Sequence, residues 1–377
     1  MQLIDSIISL LSKALAALVV FVAMLLPAPA GYTVATPQPA PTAATSTGNT
    51  SREQFPAAQT AAPQKAAPTP KADAVEKPVA PPAPQTPAVQ IPLKSQEQIN
   101  VETRSALVNI LCLAKTGLHG ISGSGIIVDS RGVILTNAHI GQYLLLRDYL
   151  TAGNVDCTIR IGSPAERRYR ATLLYLPPAW IADNASQLVA SQASGSGQND
   201  YAFLLIDSTT NPQAALPTSF ARVEMSRTYP DIGEEMLLAS YPAGFLASEL
   251  IEKSLYASSA VTYVTRLFAF GDNVTQVDLF SIGGTVLSQA GSSGGAVVRL
   301  GSGKLAGLIA TATVAASTGE RDLRAVTLSH IDESLALQGM GGIIALLSGD
   351  LAAKAAAFEA TLAPAERAAL IKILGGN

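Results

Sequence analysis

Charge is scarce in this chain. Aspartate, glutamate, lysine and arginine supply 14% of its 377 residues, against about 25% in an average soluble domain. The formal balance is −3, so no electrostatic footprint of a nucleic-acid partner is present. Only two cysteines occur, Cys112 and Cys157, which excludes both a disulfide-dense mini-domain and a four-cysteine zinc site. Histidine is limited to His119, His139 and His330. That leaves little room for a His-rich metal centre. Neither a GxxxxGK(S/T) loop nor a GxGxxG after a strand is found, so nucleotide chemistry has no phosphate cradle. With 48% apolar residues, a hydrolase, a binding module and a structural protein all stay open.

The first 30 residues read as a targeting segment. An uncharged run from Ala14 to Leu26 follows Lys13, and Ala28-Pro29-Ala30 offers a small-x-small cleavage site, the pattern of a signal peptide. Counted from Ile7 to Leu26, the same stretch is 20 residues long and could span a bilayer as an anchor, with Lys13 as its main cost. Either reading puts the remainder outside the cytoplasm, secreted or membrane-anchored. From Pro27 to Pro92 the composition changes. These residues hold 15 of the 23 prolines and 17 alanines, with Tyr32 and Phe55 as the aromatics. Residues 31–95 are expected to be a disordered linker, because so little apolar area cannot offset the entropy of ordering. A random coil of that length spans about 45 Å, which suits a stalk.

Order is expected from near Val101, mostly as strands. Ser124 to Val128 and Val133 to Thr136 flank the turn Asp129-Ser130-Arg131-Gly132. Tyr201 to Ile206 is a continuous buried-strand run. Ala296 to Arg299 and Leu305 to Thr311 flank a second Gly-rich hairpin turn. Short strands with such turns, and no helices alternating between them, predict a mainly β barrel or sandwich. Beyond about Ser329 the pattern turns helical: Ile331 to Leu337, Leu351 to Leu362 after Asp350 as an N-cap, then Ala365 to Leu374. The barrel region is bounded at 96–338, and a helical tail at 339–377.

Chemistry concentrates at three places far apart in sequence. Gly291-Ser292-Ser293-Gly294-Gly295 can hold a serine hydroxyl on a tight, exposed turn, where an adjacent base would activate it. The amides of Gly291 and Ser293 could then face a common point and form an oxyanion hole. His139 ends Gly132-Val133-Ile134-Leu135-Thr136-Asn137-Ala138-His139, and Asp200 stands at the mouth of the Tyr201 strand. Taken singly, each has a structural explanation: a flexible turn, a strand-end histidine, a capping aspartate. Asp183 and Asp207 compete with Asp200 for the acid. A rival arrangement, the GxSxG elbow of an esterase with Ser293, Asp322 and His330, requires strand–turn–helix after the serine, whereas a hairpin is expected there.

The order His139, Asp200, Ser293 and the local segments Ser122-Gly123-Ser124-Gly125-Ile126-Ile127-Val128, Leu135-Thr136-Asn137-Ala138-His139, Asn199-Asp200-Tyr201-Ala202 and Gly291-Ser292-Ser293-Gly294-Gly295 resemble the chymotrypsin-fold serine proteases, and within them the bacterial HtrA-like, or Deg-type, peptidases. The likeness runs from about Ala106 to Leu337. It implies two six-stranded antiparallel barrels with a cleft between them. It also implies a serine endopeptidase acting on polypeptides, with Ser293 as nucleophile, His139 as base and Asp200 as its orienting acid, and with no metal or cofactor required.

Departures from the family carry their own expectations. Gly294 follows the nucleophile where pancreatic-type enzymes have an aspartate, so a switch built on that acid is not available. Leu287, with Ala310, Thr311 and Ala312 opposite, would line the pocket for P1, the residue whose carbonyl is attacked. No acid stands at its base, and a small or aliphatic P1 side chain is expected. About 40 residues follow Leu337, too few for the family's PDZ domain of about 90. The tail reads as a helical cover on the barrel, with an oligomerisation or recruiting hairpin as the alternative. Glu97 to Thr103 lacks the aromatic of the family's trimer contact, which leaves the oligomeric state open. If Cys112 lies on the first barrel strand and Cys157 on the fourth, closure makes them neighbours and a disulfide becomes possible. The alternative to an active enzyme is a catalytically inactive, protease-shaped peptide-binding or chaperone module.

Overall fold

The computed structural model describes residues 94–190, 195–271, 276–313 and 315–375. The expected leader and nearly all of the expected linker lie outside them. Order starts earlier than Val101, and as helix. In α1 (Gln96–Ala106) the Ser95 hydroxyl accepts from the Gln98 amide at 3.2 Å, while the Gln98 side chain accepts from the Ser95 amide at 2.9 Å. This reciprocal pair satisfies two amides that a helix start leaves without partners. A Ser-x-x-Gln spacing was therefore the overlooked signal.

Six strands then close a barrel: β1 (Leu107–Ala114), β2 (Ile121–Asp129), β3 (Val133–Thr136), β4 (Val155–Ile161), β5 (Glu166–Tyr175) and β6 (Ala202–Thr209), in the order β1-β2-β3-β6-β5-β4. Leu107, Val108, Ile110, Ile126, Ile134, Leu135, Phe203 and Leu204 are buried in it. The turn between β2 and β3 needs glycine, since Gly132 has φ +89°, a conformation costly for any residue with a Cβ. Closure sets β1 against β4 with Cys112 directly opposite Cys157, and the two form a disulfide. Short helices α2 (Ala138–Leu145) and α3 (Pro178–Asn184), followed by a 3-10 turn at Ala185–Val189, leave this barrel on its cleft side.

The second sheet has seven strands where six were expected: β7 (Glu235–Ser240), β8 (Ser258–Tyr263), β9 (Arg266–Phe268), β10 (Leu279–Ser281), β11 (Ala296–Arg299), β12 (Leu305–Ala312) and β13 (Leu323–Thr327), ordered β8-β7-β11-β12-β13-β10-β9. Its two edge strands, β8 and β9, are separated only by Val264 and Thr265. At that bend the Val264 amide donates to Glu234 O at 3.0 Å and the Thr265 amide to Ser281 O at 2.8 Å. One strand thus changes partner halfway along. The seven strands curl around Met236, Leu238, Phe280, Val297 and Ile309. A short helix, α4 (Ser248–Lys253), links β7 to β8. Its Ile251 and Glu252 carbonyls accept from the buried guanidinium of Arg160 in β4, at 2.8 and 3.0 Å, which pins the two halves together.

Helices α5 (Leu328–Leu337), α6 (Gly342–Leu347), α7 (Leu351–Thr361) and α8 (Ala363–Gly375) follow. Asp350 caps α7, as expected, by accepting from the Ala353 amide at 3.0 Å. The tail is a cover on the first barrel. Phe358 packs edge-on to Tyr175 of β5, α8 lies against α3 and the 3-10 turn, and Arg367 donates to Leu145 O at 2.9 Å. Among the described residues, no helix is long and apolar enough to cross a membrane.

Candidate active site

The β3 strand ends at Thr136, Asn137 holds the N-cap position of α2 without a side-chain cap bond, and His139 falls in the first turn of that helix. A turn of helix, rather than a strand end, therefore presents the imidazole. Asp200 precedes β6, which pairs directly with β3 through Thr136 and Ala202, so neighbouring strands deliver both side chains. The His139 Nδ1 and Asp200 Oδ2 are 2.8 Å apart, and the other Asp200 oxygen accepts from the His139 amide at 3.0 Å. Asn137 Nδ2 donates to the Asp200 carbonyl at 2.8 Å. Asp200 is thus gripped at both ends and buried. Asp183 and Asp207, its rivals by sequence, are exposed.

Opposing forces act on the imidazole. Burial pushes its pKa down, but the Asp200 charge and hydrogen bond outweigh burial and raise it above 6.5.

Ser293 sits on a turn held rigid from the first barrel. The Ser124 amide of β2 donates to Ser293 O at 2.8 Å, and the Ser124 hydroxyl to Gly291 O at 2.7 Å. Glycines frame the serine out of necessity. Gly291 has φ +88°, and a Cβ there would lie 2.6 Å from Tyr241 O; Gly294 has φ +81°, and its Cβ would lie 2.0 Å from Ser124 O. No aspartate could follow the serine in this backbone. The loop of residues 282–290, and not a strand, leads into the turn, and β11 leaves it.

Two amides near Ser293 are open. The Ala290 carbonyl accepts from the Ala243 amide at 2.8 Å, and the Ser292 carbonyl from Gly295 at 2.9 Å. Carbonyl and N–H point oppositely across a trans peptide, so the Gly291 and Ser293 amides face away from those contacts. Among the described residues, neither donates to a protein acceptor.

His139, Asp200 and Ser293 line one cavity of about 510 Å³. Trp180, Asn184 and Gln187 form one wall; Ser288, Gln289 and Ala290, with Ile309, Ala310, Ala312, Thr313, Arg321 and Leu323, form the other. In this conformation, among the described residues, the Ser293 hydroxyl makes no hydrogen bond with the far ring nitrogen of His139. The residues meet in one cleft with the relay not drawn tight.

Of the expected pocket residues, Ala310 and Ala312 line the cavity. The side chain of Thr311 lies outside the described part. Leu287 does not line the cavity: it is fully buried in the core of the second barrel. The turn Thr285–Ser288, closed by Ser288 N to Thr285 O at 2.9 Å, directs it inward and leaves Ser288 on the wall. Arg321, which sequence reasoning passed over, also stands on that wall.

The esterase arrangement fails on geometry. Asp322 is bound by Arg266 at 2.7 Å and Arg324 at 2.9 Å, and His330 pairs with Asp278 at 2.9 Å in a neighbouring pocket. A strand follows Ser293 where the elbow needs a helix. His119 is exposed, and among the described residues no cluster of metal-ligating side chains occurs.

Residues 123–308 match the trypsin-like peptidase domain family. Among solved structures, the Rv3671c protease of M. tuberculosis in its active form is similar at 20% identity, covering 68% of this chain and 93% of that one, with a TM-score of 0.40. An HtrA-type protease, AlgW with a tripeptide, is similar at 18% identity, covering 65% of each chain, with a TM-score of 0.41. Among curated proteins no match is found.

Proposed function

We propose that the chain is an exported serine endopeptidase working through Ser293, His139 and Asp200, a reading supported by the match of residues 123–308 to the trypsin-like peptidase domain family. The Ser293 hydroxyl attacks the scissile carbonyl as His139 takes its proton. The Gly291 and Ser293 amides hold the resulting oxyanion, each donor worth about 2.7–4 kcal/mol in such sites. Collapse of that adduct breaks the C–N bond; the amine leaves with the proton from His139, and the acyl group stays on Ser293. Water attacks the ester, giving its proton to His139, and the acid departs as the hydroxyl is restored. Asp200 fixes the imidazole tautomer and stabilises the imidazolium.

The observation that carries this reading is the 2.8 Å His139–Asp200 pair opening onto the same cavity as a glycine-framed serine. Export is supported by the apolar run of the first 30 residues and by the Cys112–Cys157 disulfide, which belongs in an oxidising compartment. The stalk would tether the enzyme if the leader is retained as a membrane anchor. Ala310 and Ala312 on the cavity wall favour a short P1 side chain. A second reading, a peptide-binding module with an idle cleft, draws on the missing Ser293–His139 hydrogen bond. Such bonds are often long in unliganded enzymes and tighten on substrate.

Labelling the full chain with a fluorophosphonate, followed by mass spectrometry, separates the two. An adduct on Ser293 in the wild type that is lost in His139→Ala is expected. A folded wild type that stays unlabelled sinks the peptidase mechanism in favour of the binding module.

A further inference from the structure

The cavity wall that faces the substrate carries one positive charge that the mechanism does not use. Arg321 lies two residues before β13, whose Leu323 pairs with Ala312 of β12. Its Nη1 donates to Ser288 O at 2.8 Å. That contact spans the cavity lining from the start of β13 to the segment leading into the Ser293 turn. The guanidinium is half-buried and lines the cavity together with Ser293, Ser288, Ala310 and Ala312.

Among the described residues, no carboxylate partners Arg321. Its sequence neighbours are committed elsewhere. Asp322 is held by Arg266, Arg324 and the Ser281 hydroxyl, and Glu320 Oε2 accepts from the Ser317 amide at 3.2 Å. Asp200, the carboxylate among the cavity residues, is bound to His139. A planar fork of five donors with one backbone acceptor has capacity left for a bidentate anion. The small side chains of Ala310, Ala312 and Ser288 leave room beside it, and Leu287, which would have filled that room with aliphatic bulk, is withdrawn into the core.

We propose that Arg321 is a specificity-determining residue that receives a carboxylate side chain, glutamate or aspartate, at the P1 position of the substrate. This rests on the peptidase reading and replaces the aliphatic part of the P1 expectation while keeping its small walls. The same cation would also attract the α-carboxylate of a peptide terminus, so the test separates the two sources.

Full-length protein is offered peptide amides identical except for Glu, Gln, Val or Lys at P1, and kcat/KM is compared. Glu over Gln by about 10- to 100-fold is expected, the range of a charge-assisted contact. Arg321→Gln brings the Glu-to-Gln ratio of kcat/KM, measured within that variant, to about one, and Arg321→Lys retains part of the preference. Preference for Val, equal use of Glu and Gln, or a Glu preference that survives Arg321→Gln overturns the proposal. If no peptide is cut and Ser293 does not label, the peptidase reading has failed separately. The proposal is then read from binding of fluorescent Glu and Gln peptide amides, and of the Gln peptide as a free acid, to Ser293→Ala. Tighter binding of the Glu amide supports it. Equal binding of both amides, or gain with the free acid alone, rejects it.

Discussion

The molecule contains two histidine–aspartate pairs that look alike in distance and behave oppositely. His139 and Asp200 meet at 2.8 Å, His330 and Asp278 at 2.9 Å, both through Nδ1. The side chain of His139 is 27% exposed and that of His330 10%. For His330, burial outweighs the aspartate, and the pKa falls below 6.5; for His139 the aspartate wins and it rises. The far nitrogens differ as well. His139 lines the cavity that holds Ser293, while His330 Nε2 is buried with no partner among the described residues, its ring edge-on to Phe270. A carboxylate on one nitrogen does not make a base; what the other nitrogen can reach decides the role.

The comparison breaks most visibly at the two aspartates. Asp200→Asn is expected to lower kcat by about 10⁴-fold, because an amide stabilises the wrong tautomer and cannot support an imidazolium. Circular dichroism should confirm that the variant is folded. Asp278→Asn should leave kcat within about twofold and cost about 1–3 kcal/mol of stability, as for other buried groups deprived of a partner. Urea unfolding would measure it. A fall in kcat of the same size in both variants would erase the distinction drawn here.

The smallest effects lie in pH dependence. Because His139 must be neutral to accept a proton, the acid limb of kcat/KM should fall above 6.5, in the direction Asp200 shifts it. On stability the two rings pull in opposite senses. His139, with a raised folded pKa, stabilises the fold below 6.5 and loses that contribution as pH rises through its folded value. His330, with a lowered one, contributes fully above 6.5 and loses that contribution as pH falls toward its folded value. Thermal melts from pH 5 to 8 should therefore show opposite slope changes in His139→Gln and His330→Gln.

Sequence made the first barrel and the β11–β12 hairpin legible because their turns are local: Asp129 to Gly132, and Leu300 to Lys304. It made the meeting of His139, Asp200 and Ser293 in one cavity legible, because glycines and apolar runs mark where a side chain is presented. Features that depend on distant partners were not legible. The bend at Val264–Thr265 has no glycine or proline, and only its partners Glu234 and Ser281 reveal it. His330 lies in the first turn of α5, but its partner Asp278 stands 52 residues upstream. Arg321, between Glu320 and Asp322, looks like one member of a solvated charge cluster. Only the commitment of Asp322 to other arginines sets it apart.

Helix α8 ties the cleft to the far end of the described chain. The His139–Asp200 pair belongs to the first barrel and Ser293 to the second, yet α3 and the 3-10 turn behind Trp180, Asn184 and Gln187 rest on residues 363–375. The backing of one cleft wall thus comes from a helix about 70 residues beyond the nucleophile turn, so a change on the face of α8 that meets α3 reaches the cleft without touching any group that lines it.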